Sequence, residues 1–467
     1  MKKYILLILF ATSLFSCEDF LTREPVTSNS VELTLSDFDG MNKATIGAYS
    51  PLYSVNWYGA SFPILADIKT DNAKSSPINT GRYQTDYSWI QDPANTSGLW
   101  ATAYIAITSA DNVLEALETY ELKTGETQEQ FDHLKAECLF IRALGHFDLV
   151  RLYAQSYSFD PQGPGVPIIL YTRRETPPRN TISEVYNQVV ADLLEAEPLF
   201  MDGFNEEYRP DIRDIRGVAS KEAAQALLAR VYLYMENWNE AANYASKVIA
   251  SGNFELYTDL NYQAAWGADA SPEVIMEVWG SYTQTNAPFW DEIGRMYSPD
   301  GYGDVCATNS FLALFEDGDV RAQMFVEPED YQGYFWPTKY PGKGDLRQNN
   351  IPVFRLSEMY LIRAEAVLNG ASGDALADYN AIRTNRGLSA ATNVIADDIF
   401  DERRRELCFE GHLLFDYARL QKSLVRTDED NRITGTLNVP FPSYLWAMPI
   451  PLSEMEANPN MVQNEGY

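Results

Sequence analysis

Two stretches of this 467-residue chain align without a gap. They are "ARVYLYMENWNEAANYASKVI", from Ala229, and "AEAVLNGASGDALADYNAIR", from Ala364. Ala229 matches Ala364, Ala242 matches Ala377 and Tyr244 matches Tyr379, all at one common offset. Each stretch reads as a helix, a tight turn (Glu236-Asn237; Asn369-Gly370-Ala371) and a second helix. Small residues stand where two helices have to approach closely. A chain built on such pairs buries its apolar stripes helix against helix, so a mainly α scaffold is expected.

The pattern has the grammar of a tetratricopeptide-like helical hairpin. Over a hundred residues separate the copies, so a plain solenoid is not expected. Other segments carry helical signals. "SDFDGMNKATIGAYS", from Ser36, reads as a capped first helix, and "LWATAYIAITSADNVLEALE" continues the spacing. Leu134, Cys138, Ile141, Leu144 and Phe147 recur at steps of four and three. Thr181 opens "TISEVYNQVVADLLEAEPLF", with Glu184 three residues on, as a capping box. Residues 53–98 and about 253–350 hold no lasting period and read as loops rich in aromatics. In the second, "EVIMEVWGSY" is the one strand candidate. The tail fixes its backbone at Pro449 and Pro451 and is expected to wind along the surface.

The chain opens with Met1, Lys2 and Lys3, then a short apolar run to Phe15. A membrane-spanning helix needs roughly 20 apolar residues, so the run reads as a secretory signal. It stops at Leu14-Phe15-Ser16-Cys17, which resembles a bacterial lipobox. The expected organisation is a signal peptide over 1–16, a lipidated tether over 17–35 anchored at Cys17, and one domain over 36–467. That domain divides into an N-terminal region (about 36–220) and a C-terminal region (about 221–467).

The formal charge of −30 repels nucleic acid and mildly disfavours polyanionic ligands. With Cys17 assigned to lipid, Cys138, Cys306 and Cys408 remain, without CxxC spacing, so neither a disulfide framework nor a zinc site is indicated. There is no HExxH, no nucleophile elbow and no phosphate-binding glycine loop, and no metal or cofactor is expected. His133 and His146 sit in helices and read as structural. Glycosidases use a carboxylate pair at a separation of about 5 to 10 Å. Among 66 acidic residues some pair will always meet that condition, so this class gets no support. "DEDN", Asp428 to Asn431, resembles a calcium loop, but Arg432 falls where the third ligand belongs; it reads as a solvated turn. "ERRRE", Glu402 to Glu406, reads as an intrahelical ion-pair face supporting neighbouring helices rather than an anion site.

Sugars are held by aromatic rings under their C–H faces and by Asn, Asp or Arg on their hydroxyls. Two loop regions supply both. The first offers Trp57, Tyr58, Asp71, Asn72, Arg82, Tyr83 and Trp89; the second offers Tyr282, Asn286, Trp290, Tyr297 and Tyr302. For any one of these aromatics, core packing is an equal alternative. Trp100 and Trp238 lie in helices and are assigned to the core.

In order along the chain, "SCEDFL", "RALGHFDLVRLYA" then "GVPIIL", "LSEMYLIRAEA", "YNAIRTNRG", "ERRRELCFEGHLLFDYARL" and "PIPLSEMEANPNMVQNEGY" resemble the SusD/RagB family of Bacteroidota outer-membrane lipoproteins over essentially the whole chain. His412 and Tyr417 depart from it, where Arg and Leu are usual. The resemblance implies about four tetratricopeptide-like hairpins forming a scaffold, with loop-rich ligand-binding insertions and a few short strands. It implies a non-enzymatic protein that captures oligosaccharide and serves a TonB-dependent, SusC-like barrel. It also implies lipid anchoring on the outer face, with Glu18 and Asp19 resembling the export signal. A peptide-binding, RagB-like protein or a purely architectural partner of the barrel is the alternative, and a surface glycosidase the remotest one.

Overall fold

Local signals start the long helices where the sequence places them. In the computed structural model, which describes residues 31–212, 215–281, 283, 287–426 and 438–467, Asp37 accepts the Gly40 N–H at 2.9 Å and opens α1 (Phe38–Tyr49). Thr181 and Glu184 close the expected capping box on α5 (Ile182–Ala196). Glu184 N–H donates to Thr181 Oγ1 at 3.2 Å, and Thr181 N–H donates to Glu184 at 2.8 Å. The remaining helices of seven or more residues are α2 (Ser61–Ile68), α3 (Leu99–Thr119), α4 (Gln128–Tyr153), α6 (Lys221–Tyr234), α7 (Trp238–Ser251), α8 (Leu356–Leu368), α9 (Ala375–Asn385), α10 (Ala396–Glu406) and α11 (Leu413–Arg419).

Helix packs on sequence neighbour through most of the molecule: α3 on α4, α4 on α5, α5 on α6, α6 on α7, α7 on α8 and α8 on α9. Gly145 marks the α3–α4 crossing, where a Cβ would meet Ile107 Cγ1 at 2.8 Å. One apolar cluster runs from Ala48 to Met461 and takes in residues of nearly every helix. Trp100 lies in it; Trp238, half-buried, packs against it. Among the described residues no helix is long and apolar enough to cross a membrane. Cys138, Cys306 and Cys408 are buried and unbridged, and burial pushes the thiols of Cys138 and Cys408 up to about 12 and about 11.

The repeat forms two helix–turn–helix pairs, α6–α7 and α8–α9, with Ala229 and Ala364 both fully buried. The gapless register does not survive the turn. The second helices are capped by Asn237 and Asp374, two residues out of the common offset, so Ala377 is exposed where Ala242 is buried. Gly370 and Gly373, both at positive φ, accommodate the longer second turn.

Residues 53–98 are more ordered than the loop reading expects. They hold α2 and β1 (Ala73–Ser75), and the stretch from Phe62 to Ser76 is buried throughout. Eight helical residues are too few to show a period, and burial on all sides removes the polar face that would reveal one. The strand candidate is β2 (Val274–Val278). It pairs antiparallel with β6 (Ile351–Arg355), so that Val278 faces Ile351. β1 pairs with β3 (Val305–Ala307), and two further two-residue ladders, β4 (Phe325–Val326) with β5 (Trp336–Pro337) and β7 (Leu424–Val425) with β8 (Asn438–Val439), complete the sheet content of the described residues.

The "ERRRE" helix supports its neighbours, as expected, but mostly through pairs that reach beyond the helix rather than along it. Arg403, Arg404 and Arg405 are all buried, and only Arg405 makes a close pair within the helix, with Glu402. Arg403 holds Asp416 of α11 and Arg404 holds Asp71 of the first loop. Around Glu406 a larger set closes on itself: Arg321 with Asp319, Glu402 and Glu406; Arg355 with Glu273, Glu406 and Glu410; Arg386 with Glu273 and Glu406; Lys339 with Glu410. With Arg405 counted, cationic and anionic side chains balance five to five, which is what allows so much charge to leave water together.

Candidate functional site

The structure describes ten of the twelve loop residues and splits them into two groups. Trp57 and Tyr58 turn inward, and the indole N–H and phenol O–H each donate to Asp148 of α4 at 2.8 Å. Asp148 also pairs with Arg151, one turn on. Asn72 accepts from Arg404 at 3.0 Å, and Asp71 takes the Arg404 guanidinium at 2.9 Å and the Tyr417 O–H at 2.9 Å. Trp89 donates to the Lys69 carbonyl at 2.9 Å, carries the Lys69 ammonium 4.0 Å over its ring and meets Trp446 edge-on. Tyr297 stacks on Tyr340. All six are buried and take part in packing, so the ring and carboxyl faces that sequence reasoning offered to a sugar are spent on the protein's own interior.

The other group comes together at the surface. Arg82 lies 4.0 Å from the centre of the Tyr302 ring, and Arg295 lies 4.6 Å from the same ring. Arg295 also sits 5.2 Å from Trp290, Arg347 sits 4.6 Å from Trp290, and Arg347 reaches Phe289 at 5.5 Å. Rings and guanidinia thus alternate in a ladder that joins the two loop regions. Trp290 keeps 53% of its surface exposed and Phe289 47%. Tyr83 is half-buried beside this group, its hydroxyl 3.3 Å from Ser61 Oγ. Tyr282 and Asn286 lie outside the described residues, as do Cys17 and the Asp428–Asn431 turn.

The ladder is held from beneath. Arg82 bonds Asp291 at 2.7 Å and Thr80 Oγ1 at 2.6 Å, while buried Asp304 accepts from Thr80. Arg347 pairs with Asp345 at 2.5 Å; the hydrogen bonds from Arg347 hold the Asp345 carboxyl down at about 2. Arg295 Nε donates to the Trp290 carbonyl at 3.0 Å, which fixes its fork beside the indole. Under the Trp290 turn, Glu292 caps the helix Ile293–Tyr297 and accepts from Gly294 N–H and Asn349. Full burial outweighs those bonds and pushes its carboxyl up to about 8. Tyr83 holds φ at 57°, and Trp89 and Phe289 hold it at 56°. That left-handed region is costly to bulky residues. Strain of this kind persists only where the surroundings enforce it, and it gathers at functional loops.

Phe289, Arg295 and Arg347 escape the sequence reading. A usable signal was present for the first two, since Phe-Trp and an arginine five residues later frame one turn of the second loop. Arg347 lies near the end of the second region, far along the chain from the Trp290 turn, and carries no local mark. His133 and His146 are structural, as expected: both are buried in α4, each accepts a backbone N–H (Met201 and Ile169), and burial lowers them to about 4 and about 3.

Comparison with known proteins places this architecture. The sequence model described as "Starch-binding associating with outer membrane" matches residues 19–233, and that of the "SusD family" matches residues 331–467. The chain belongs to the SusD/RagB family. Relatives of this SusD-like protein include SusD-like protein P25 of Formosa agariphila, 24% identical over the whole of this chain and 99% of its own length. The starch-binding protein SusD of Bacteroides thetaiotaomicron is 30% identical over 38% of this chain and 31% of its own length. Among solved structures, a putative sugar-binding protein from Bacteroides vulgatus superposes with a TM-score of 0.82 at 29% identity, covering 92% of this chain and 98% of that one. The mainly helical architecture with few short strands is that of the superfamily. The two departures from the SusD-like pattern have structural roles here. Tyr417 ties α11 to Asp71, and His412 lies buried 4.0 Å from Glu358, where burial and the surrounding guanidinia of Arg230 and Arg403 keep it neutral.

Proposed function

We propose that this SusD-like protein is a non-enzymatic glycan-binding lipoprotein of the cell surface, anchored through Cys17 with residues 1–16 removed. It captures oligosaccharide on the Trp290 face and delivers it to a TonB-dependent, SusC-like barrel that it caps like a lid. The observation that carries this reading is the exposed Trp290 ring, flanked by oriented arginines, at the meeting point of the two loops. An indole face takes the apolar C–H side of a sugar, while guanidinium and carboxylate groups on its rim take hydroxyls. These are groups that hold a ligand by its faces and edges, which supports binding.

The test is a glycan array probed with the soluble form lacking residues 1–17, run beside a peptide panel. Retention of one glycan class and no peptide supports the reading; retention of peptides alone moves the protein to the RagB-like alternative. Co-purification with a SusC-like barrel after mild detergent extraction tests the delivery step, and recovery as a lone monomer contradicts it.

A further inference from the structure

We propose that the sugar recognised at this patch is anionic, bearing a carboxylate or sulfate oxyanion that the Arg295 guanidinium receives. The inference rests on the glycan-binding reading and narrows its substrate class. Three guanidinia stand in the ladder, but they are not equivalent. Arg82 is committed to Asp291, with Asp304 also within 3.6 Å, and Arg347 is committed to Asp345. Arg295 makes one side-chain hydrogen bond, through Nε to the Trp290 carbonyl. Among the described residues its two terminal amino groups have no hydrogen-bond partner and no carboxylate within ion-pair distance.

Those amino groups are nevertheless fixed in direction. The Nε bond sets the plane of the fork, and the Trp290 and Tyr302 rings both pack beside the guanidinium. A planar fork with unengaged N–H groups matches a two-oxygen anion. Holding the fork in place beforehand removes the ordering cost that a free arginine would meet on binding. A sugar stacked on the exposed Trp290 face has its ring substituents near the indole's edge, within reach of Arg295. A neutral hydroxyl could accept one of these bonds but would leave the other arm of the fork unengaged.

The chain's −30 charge does not oppose this. At physiological ionic strength the Debye length is about 8 Å, so distant carboxylates are screened while a contact pair is not. The overall charge slows the approach of a polyanion; the local guanidinium decides whether it stays.

The test compares matched pairs by isothermal titration: oligogalacturonide against its methyl ester, and a sulfated galactan oligosaccharide against its desulfated form. We expect the charged member of one pair to bind at least tenfold more tightly, with that preference shrinking as NaCl rises from 20 to 500 mM. The responding pair tells carboxylate from sulfate. Arg295→Gln is expected to bring the preference within twofold, and Arg295→Lys to retain part of it, with folding checked by thermal melt. Should Arg295→Gln fold poorly, the salt dependence of the parent protein decides alone. Equal affinity for both members of each pair, or binding only to neutral glycans, overturns the anionic assignment and leaves glycan binding standing. Binding to no glycan on the array overturns both.

Discussion

Glu406 sits at the centre of the buried charge network, and replacing it with Gln tests whether that network holds the C-terminal half together. The parent carboxylate receives Arg386 at 2.7 Å, Arg355 at 2.8 Å and Arg321 at 3.1 Å, with no exposed surface. Against the desolvation of full burial, the guanidinia of Arg386 and Arg355 hold its carboxyl well below the ordinary range. The amide keeps the shape and one acceptor but leaves five cations facing four anions away from water. Breaking a buried pair costs about 3 to 5 kcal/mol. Unfolding entropy of about 2.1 cal/mol/K per residue, over roughly 430 residues, gives about 0.9 kcal/mol/K. The expected fall in melting temperature is therefore about 3 to 6 °C, measured by differential scanning calorimetry at pH 7. The exposed pair Lys43–Asp39 supplies the control, and Lys43→Ala leaves the melting temperature unchanged. The pH sign follows from the depressed carboxyl: its contribution is complete above about pH 4.5 and is lost as pH falls through the lower folded value. A Glu406→Gln protein that melts within about 1 °C of the parent, or above it, would refute the argument.

Three further outcomes follow from the same structure. Glu292→Gln should melt higher than the parent at pH 8 and equally at pH 4, because folded Glu292 keeps until about pH 8 a proton that the unfolded chain releases near 4.5. The parent therefore loses stability across that window at up to about 1.4 kcal/mol per pH unit, and parallel melts at both pH values check it. Trp57→Phe should destabilise by about 1 to 3 kcal/mol while glycan affinity stays constant, because a buried carboxylate loses one of its donors and keeps those from Tyr58 and Arg151. That carboxylate is Asp148, and loss of binding without loss of stability would return Trp57 to the ligand site. Cys17→Ala should abolish palmitate labelling and surface anchoring, and a variant still labelled on the outer surface contradicts the lipobox reading.

The helical scaffold was legible because its signals are local. Thr181 and Glu184 cap a helix within one turn, and the steps of four and three carry Cys138 to Phe147 along the main core, with Leu134 in a smaller cluster beside Phe131 and Phe204. The repeat announced two hairpins but not the longer turn of the second, which depends on the φ values of Gly370 and Gly373. The proposed binding face was only half legible. Whether a loop aromatic is core or ligand platform depends on partners far away in sequence: Trp57 is drawn inward by Asp148, ninety-one residues on, and Trp89 by Trp446. The "ERRRE" helix was legible in part for the same reason: its support of neighbouring helices could be read from its charges, but its partners Asp71 and Asp416, outside the helix, could not.

The claim at the centre of this account is that the exposed Trp290 ring is the platform on which a glycan rests. Isothermal titration of Trp290→Ala with an oligosaccharide retained on the array, alongside a thermal melt, measures that directly. Stacking on an aromatic ring is worth roughly 1 to 3 kcal/mol by analogy with nucleobases, so affinity should fall about 10- to 100-fold while the melting temperature stays put. Unchanged affinity, or a large drop in melting temperature with binding intact, would make Trp290 a packing residue and contradict the assignment of this face.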